Sequence, residues 1–162
     1  MTHNDISIDY LIKKFGLRSH PEGGYFRESY RAQGVIKERG RNYSTAIYFL
    51  LPKGTKSRLH RIKSDEVFHF YLGGPLNIVL INKKGRVEEI ILGQNIRAGH
   101  LLQYVVPAGL WFGAYPAKGT KFSFVSCTVA PSFDFADFEI GKKQTLLKQY
   151  PHARKMIEFL AA

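Results

Sequence analysis

The residues best suited to chemistry lie between Gly54 and Gly73, in the run GTKSRLHRIKSDEVFHFYLG. His60 ends one apolar stretch of that run and Glu66 opens the next. An imidazole titrating near pH ~6.5 is a ready general base, and a neighbouring carboxylate can orient and tune it. Pairing of the two stretches across Lys63-Ser64-Asp65 would place His60 and Glu66 on one inner face of a small barrel. Phe68, Phe70 and Leu72 then share the Glu66 face, while His69 and Tyr71 point the other way. The same alternation puts Arg58 on the His60 face and Arg61 on the opposite one. Either guanidinium suits bidentate binding of a phosphate or carboxylate. A hydrogen-bonded core histidine and a structural ion pair are the competing readings of His60 and Glu66.

A second window, Pro107-Ala108-Gly109-Leu110-Trp111-Phe112, is a turn feeding a short aromatic strand. Phe112 is a candidate to stack on a ligand ring, with barrel core as the alternative. Gln103 is a candidate polar contact facing inward, and Tyr48 a candidate phenolic acid. Glu22-Gly23-Gly24 reads as a bulge entering the sheet or as the rim of a cavity, since paired glycines allow sharp turns and close approach. In the run from Phe133 to Glu139, three phenylalanines alternate with Asp134, Asp137 and Glu139. The phenylalanines are expected to seal an edge or interface and the acids to stay exposed. His3, His20, His100 and His152 show no metal spacing. Cys127, the single cysteine, reads as a buried and inert thiol. It excludes an intramolecular disulfide and a multi-cysteine zinc site.

These residues need a scaffold. Residues 5–15 predict a short amphipathic helix, with Ile8, Leu11, Ile12 and Phe15 on one face, Asp5 or Ser7 as cap and Gly16 as stop. From His20 to Val129 the periodicity changes to two. Strands are expected at Tyr25–Tyr30, Thr45–Leu51, Arg58–Ile62, Val67–Leu72, Leu76–Ile81, Arg86–Leu92, Leu101–Val106, Leu110–Ala114 and Phe122–Val129. Many short strands separated by Gly/Pro turns argue for a sandwich or barrel rather than a parallel sheet. Helices return at Gln144–Gln149 and Ala153–Leu160. The 162 residues are expected to form a single all-β domain with helical ends, its barrel core at about 20–140.

The chain has 24 basic and 13 acidic residues, a net charge of +11. Residues 31–63 hold nine basic side chains against Glu38 alone, a net +8. That concentration fits a small anionic ligand at a barrel mouth better than a nucleic acid, for which no recognised motif is present. No apolar run approaches the roughly 18 residues of a membrane helix. With no visible secretory signal and one cysteine, a cytoplasmic setting is expected.

The two windows resemble the metal-binding motifs of the cupin superfamily: Gly, five residues, His-x-His, Glu, six residues, Gly, and later Pro-x-Gly-x-x-His. Two of the four ligand positions hold Ile62 and Phe112, which cannot bind a cation, so no metal or other cofactor is expected. HPEGGYF, TAIYFLL, SRLHRIKSDEVFHFYLGGPL, VVPAGLWFGA and VAPSFDFADFE together resemble the Cupin_5 family of unknown function. The resemblance implies a double-stranded β-helix (a jelly-roll barrel), an internal ligand cavity and a homodimer. The fold is similar to that of deoxythymidine-diphospho-sugar epimerases, which use a histidine base held by a carboxylate, although their Arg-Gly-x-His-x-Gln run is absent here. That likeness implies metal-free epimerase- or isomerase-type catalysis on a small anion such as a sugar nucleotide. A ligand-binding or sensor cupin without turnover is the alternative.

Overall fold

The computed structural model describes residues 6–162. Asp5 and His3, named above, lie outside them. Helix α1 (Ile8–Phe15) starts where the Ser7 hydroxyl accepts the Tyr10 N–H at 3.1 Å, and it ends at Gly16 in the left-handed region. The strands are β1 (Arg18–Ser19), β2 (Tyr25–Arg31), β3 (Val35–Ile36), β4 (Arg41–Asn42), β5 (Thr45–Pro52), β6 (Ser57–Arg61) and β7 (Asp65–Gly73). They continue with β8 (Leu76–Ile81), β9 (Val87–Leu92), β10 (Gln103–Val106), β11 (Trp111–Pro116), β12 (Phe122–Ala130) and β13 (Glu139–Ile140), followed by helices α2 (Lys143–Gln149) and α3 (Arg154–Leu160).

A larger sheet in the order β1-β2-β5-β12-β7-β10 faces a smaller one in the order β13-β6-β11-β8-β9, and every strand pair within them is antiparallel. This is the expected jelly-roll barrel. Inward-facing Phe49, Leu51, Phe68, Ile78, Leu80, Phe112 and Val125 fill the space between the sheets. Full burial of such side chains stabilises the barrel by roughly 1.5–3 kcal/mol each. Helix α1 covers the outer face of the larger sheet through Leu11 against Leu50, Phe122 and Phe124. Helices α2 and α3 cover the smaller sheet, with Leu146, Ile157 and Leu160 against Leu59, Val79 and Trp111.

Two expectations of local geometry are corrected. β6 and β7 do not pair: β6 lies between β13 and β11, and β7 between β12 and β10, so the Lys63–Ser64 turn carries the chain from one sheet to the other. Leu72 leaves the Glu66 face because Tyr71 is an extra residue opposite the Phe124–Val125 step of β12. Leu72 therefore packs on the outer side with α1, while Phe70 remains inside.

Candidate functional site

Paired glycines build the first half of the site. The turn from His20 to Gly24 closes by two backbone hydrogen bonds, the Gly23 N–H to the His20 carbonyl and the His20 N–H to the Gly24 carbonyl, each 3.0 Å. Gly23 and Gly24 adopt φ of 117° and 75°. A side chain on Gly23 would fall on the Lys56 carbonyl oxygen, so only glycine lets this turn lie against the chain entering β6. The Arg58 N–H donates to the Glu22 carbonyl at 2.9 Å and pins the two segments together. Glu22 is thereby delivered into the barrel beside His60.

His60 Nδ1 lies 2.9 Å from Glu22 Oε2 and 2.7 Å from the Arg58 carbonyl. Both neighbours are acceptors, so Nδ1 carries a hydrogen, and Nε2 is the nitrogen without a partner among the described residues, on a ring that lines the cavity. His20 has the complementary tautomer. Its Nδ1 accepts the Glu22 backbone N–H at 3.1 Å, which leaves the hydrogen on Nε2. The residue that holds His60 is therefore Glu22, and Glu66 approaches from the opposite sheet instead. The paired glycines that follow Glu22 were the signal in the sequence.

Burial alone disfavours a charged His60, but Glu22, Glu66 and the Arg58 carbonyl outweigh it and hold the imidazole pKa above its usual value. Burial likewise disfavours an ionised Glu22, yet His60, His20 and Ser57 bring its pKa below the ordinary carboxylate value. Each of the two favours the charged form of the other across the 2.9 Å contact. His20 is pushed down mainly by burial, with Glu22 opposing, and is the neutral member. Burial raises Glu66 to about 7, reinforced by Glu22 and opposed by His60 and the Cys127 thiol. The thiol itself is pushed well above its ordinary range, mainly by burial, and stays protonated.

These groups open into a cavity of about 240 Å³ between the sheets. Ile47, Ile62, Cys127 and Val129 contribute apolar wall, and Phe26, Phe133, Phe135 and Phe138 contribute aromatic wall. The phenylalanines of residues 133–138, expected at an edge or interface, line the cavity. Of their acidic neighbours, Glu139 is exposed as expected, while Asp134 and Asp137 are half-buried. Asp137 accepts from Arg41 Nε at 2.7 Å and lies 3.4 Å from Lys63 Nζ, which holds its carboxyl below the usual range. Glu139 pairs with Arg61. Three basic residues of the 31–63 segment, Arg41, Arg61 and Lys63, are thus matched to acids of the 133–139 segment.

His60, Glu66 and the packing partner of His60, Phe112, come together as a group. Phe112 is buried with its ring centroid 4.1 Å from that of His60, and it braces the imidazole from below without lining the cavity. The other candidates lie elsewhere. β6 carries one extra residue between Ser57 and His60 relative to β11, which breaks the alternation and leaves the Arg58 side chain exposed. Arg58 contributes its backbone N–H and carbonyl to the site, and its guanidinium lies outside. Arg61 is on the outer side, 2.7 Å from Glu139 and stacked over Trp111. Tyr48 stacks on Phe124 and packs at a tilt against Phe15 of α1. Gln103 lies on the outer face, 2.9 Å from His69. Tyr48 and Gln103 alternate correctly but point out of the barrel.

Of the two positions where the motif resemblance places further metal ligands, Ile62 lines the cavity and Phe112 packs beneath His60. Among the described residues no three His, Cys, Asp or Glu side chains are placed to share a cation. The donor set does not fit a metal. Residues 9–141 match the Cupin superfamily (DUF985) family. The chain belongs to the Cupin_5 family. This cupin is 30% identical to the uncharacterized protein YML079W of Saccharomyces cerevisiae, over 96% of this chain and 86% of the yeast protein. Its fold superposes with a TM-score of 0.91 on a hypothetical protein from Leishmania major, at 35% identity over 96% of this chain and 99% of that one. Protein SO0799 from Shewanella oneidensis gives the same TM-score at 36% identity, over 97% of this chain and 98% of that one. Oxalate decarboxylase from Bacillus subtilis, at 16% identity and a TM-score of 0.56 over 88% of this chain and 36% of its own, shares the fold alone. Among the described residues no helix is long and apolar enough to cross a membrane.

The position of Glu66 makes a prediction about stability. Its folded pKa is raised from 4.5 to about 7, so between those values the native state holds a proton the unfolded chain releases. Stability from this group therefore falls as pH rises through that window and levels off above it. Glu66→Gln removes the ionisation. It is expected to match the wild type at about pH 5 and to exceed it by about 1–3 kcal/mol at about pH 8. Denaturant titrations at the two pH values measure this, and an equal difference at both would contradict it.

Proposed function

We propose that this cupin binds a small molecule between its two sheets and transfers a proton on it. His60 Nε2 and the Glu66 carboxyl would be the exchanging groups, and Glu22 would position His60. The observation that carries the reading is the His60–Glu22 contact of 2.9 Å at Nδ1, which leaves Nε2 without a partner among the described residues, on a ring that lines the cavity. As an imidazolium, His60 donates from Nε2 and then serves as base, with Glu22 balancing the charge throughout. Glu66 enters from β7, on the other sheet, so a ligand between them meets a proton donor on one side and an acceptor on the other. Such an arrangement suits an isomerase- or epimerase-type reaction. A sugar nucleotide is a poor match, because neither Arg58 nor Arg61 reaches the cavity to receive its diphosphate.

A thermal-shift screen for stabilising small molecules, followed by incubation of each hit in deuterated water, tests the proposal. Deuterium entering a C–H position of a hit, slowed at least about a hundredfold in His60→Ala, is the expected result. Arg58→Ala and Arg61→Ala should leave the exchange rate unchanged. Exchange at the wild-type rate in His60→Ala would remove His60 from the chemistry. Recovery of every stabilising ligand without exchange would favour a binding protein without turnover.

A further inference from the structure

We propose that the occupant of this cavity is an organic cation, a substituted ammonium group held against the rings of Phe26, Phe133, Phe135 and Phe138 and balanced by Glu66. The proposal rests on the reading of this cavity as the functional site. It reverses the charge that the sequence suggests for the ligand.

Among the described residues, the cavity offers an anion no free cation. Arg31 is the one arginine or lysine lining the cavity among the described residues. Its Nε and Nη2 donate to the two oxygens of Glu28, each at 2.8 Å. Nη2 also donates to the Phe133 carbonyl at 3.2 Å, and Nη1 to Asn42 at 3.1 Å and Ser132 at 3.5 Å. A guanidinium has five N–H donors, and all five are engaged. Arg31 is a tie across the mouth with nothing left to offer. His60 is the other positive group, and Glu22 already balances it.

The cavity also holds a carboxylate with no ion-pair partner among the described residues. Four acids line the cavity: Glu22, Glu28, Glu66 and Asp134. Glu28 is matched by Arg31 and Glu22 by His60, while Asp134 has Arg41 at 3.7 Å. Glu66 is only 8% exposed, and among the described residues no cation lies within ion-pair distance of it. An ionised carboxylate in that position is costly until a positive charge joins it.

The aromatic wall suits a cation as well. The rings of Phe133, Phe135 and Phe138 have centroids 5.0–6.0 Å apart and meet at 69–83°. His20 meets Phe26 edge-on at 78°. All of Phe26, Phe133, Phe135 and Phe138 line the cavity, so a guest meets aromatic surface from several rings. Phenylalanine faces carry the negative end of the ring quadrupole and attract ammonium groups. Phe135 stands at the mouth, 54% exposed, with its ring available to an entering ligand. Aromatic walls with one unmatched acid favour a cation over a neutral or anionic guest of the same shape.

Binding should also move a proton. Without a guest, burial keeps much of Glu66 protonated near neutral pH, and the groups around it are His60, Glu22 and Cys127. An ammonium beside it favours the carboxylate, so the cation is expected to enter as a proton leaves.

Three probes of matched shape test the proposal by calorimetry. They are choline, its neutral analogue with a quaternary carbon in place of the nitrogen, and the carboxylate carrying the same quaternary carbon. Choline is expected to bind at least about tenfold more tightly than the neutral analogue, and the carboxylate not to bind. At about pH 6, repeating the choline titration in buffers of different ionisation enthalpy should show proton release that is lost in Glu66→Gln. Phe135→Leu, a change at an exposed ring that leaves the core intact, should weaken choline several-fold and leave the neutral analogue unaffected. The proposal is overturned if the neutral analogue or the carboxylate binds as well as choline, or if choline fails to bind at about 10 mM. Deuterium exchange is scored separately. Choline binding without exchange into any ligand would retain the cation site and discard the proton transfer. Exchange confined to anionic or neutral ligands would do the reverse.

Discussion

Glu22→Gln is expected to bring the His60 pKa from above the ordinary histidine value of about 6.5 to below it, and to slow proton transfer at His60 by about 10²–10³-fold. Glutamine keeps the size of the side chain, and its carbonyl can still accept the Nδ1 hydrogen. The negative charge is what disappears. Burial is the largest influence on His60 and acts against the imidazolium, while the Glu22 charge is the largest influence opposing it. With that opposition removed, burial prevails. The pH dependence of stability should change with it. In the wild type the raised His60 pKa contributes stability that is fully present below the unfolded value and is lost as pH rises through the folded one. Glu22, with its lowered pKa, contributes stability above its unfolded value and loses it as pH falls further. In the variant, His60 must be charged against burial as the solution acidifies. The variant's deficit should therefore widen from about pH 7 to about pH 5, reaching about 1–3 kcal/mol. An NMR titration of the His60 ring measures the pKa directly. A value still above that of a free histidine would show that Glu22 is not what sustains the imidazolium.

Gly23→Ala should be the most damaging of the glycine-to-alanine changes among the described residues. The backbone at Gly23 has φ of 117°, a region L-residues avoid, and the added carbon would overlap the Lys56 carbonyl oxygen. Relief requires the His20–Gly24 turn to move off β6, which takes the Glu22 carboxylate away from His60. A loss of more than ~3 kcal/mol, or about 6–12 °C in Tm, is expected, together with loss of proton transfer. Gly40→Ala is the control. Gly40 also has positive φ, 59°, but no atom lies within 4 Å of the position a side chain would take. Its cost should stay near ~1 kcal/mol, the backbone preference alone. Equal Tm losses in the two variants would show that close approach to Lys56 contributes nothing.

The large elements were legible because alternation and turn residues are local. Expected strand Thr45–Leu51 is observed as β5, Thr45–Pro52, and Leu76–Ile81 is observed without change as β8. Two-residue strands such as β1 and β13 were not expected, since two residues carry no alternation. The site was half legible. His60 and Glu66 stand at a spacing that local reading can use, although their route to one cavity is from opposite sheets and not across a hairpin. Glu22 was harder to find because its partner lies 38 positions away and meets it through a glycine-dependent contact that no periodicity records. Arg58 was misplaced for a related reason. One extra residue in β6 reverses the side that alternation assigns, and that extra residue is visible only against β11. For Tyr48 and Gln103, alternation says which residues share a face and not which face is inner.

The place of β12 between β5 and β7 has a kinetic consequence. β5 and β7 are close in sequence, yet they are joined only by a strand that begins at Phe122, after most of the chain has been laid down. Cys127 and Val129 of that strand form one wall of the cavity, and the Phe133–Phe138 mouth follows directly from it. No early hairpin can contain the binding site. Contacts this far apart in sequence make folding slow, in the millisecond-to-second range, and the cavity should be completed in the same step that commits the whole barrel. A ligand should then bind only the finished fold, holding it closed without hastening its formation. Its presence would slow unfolding and leave the refolding rate unchanged.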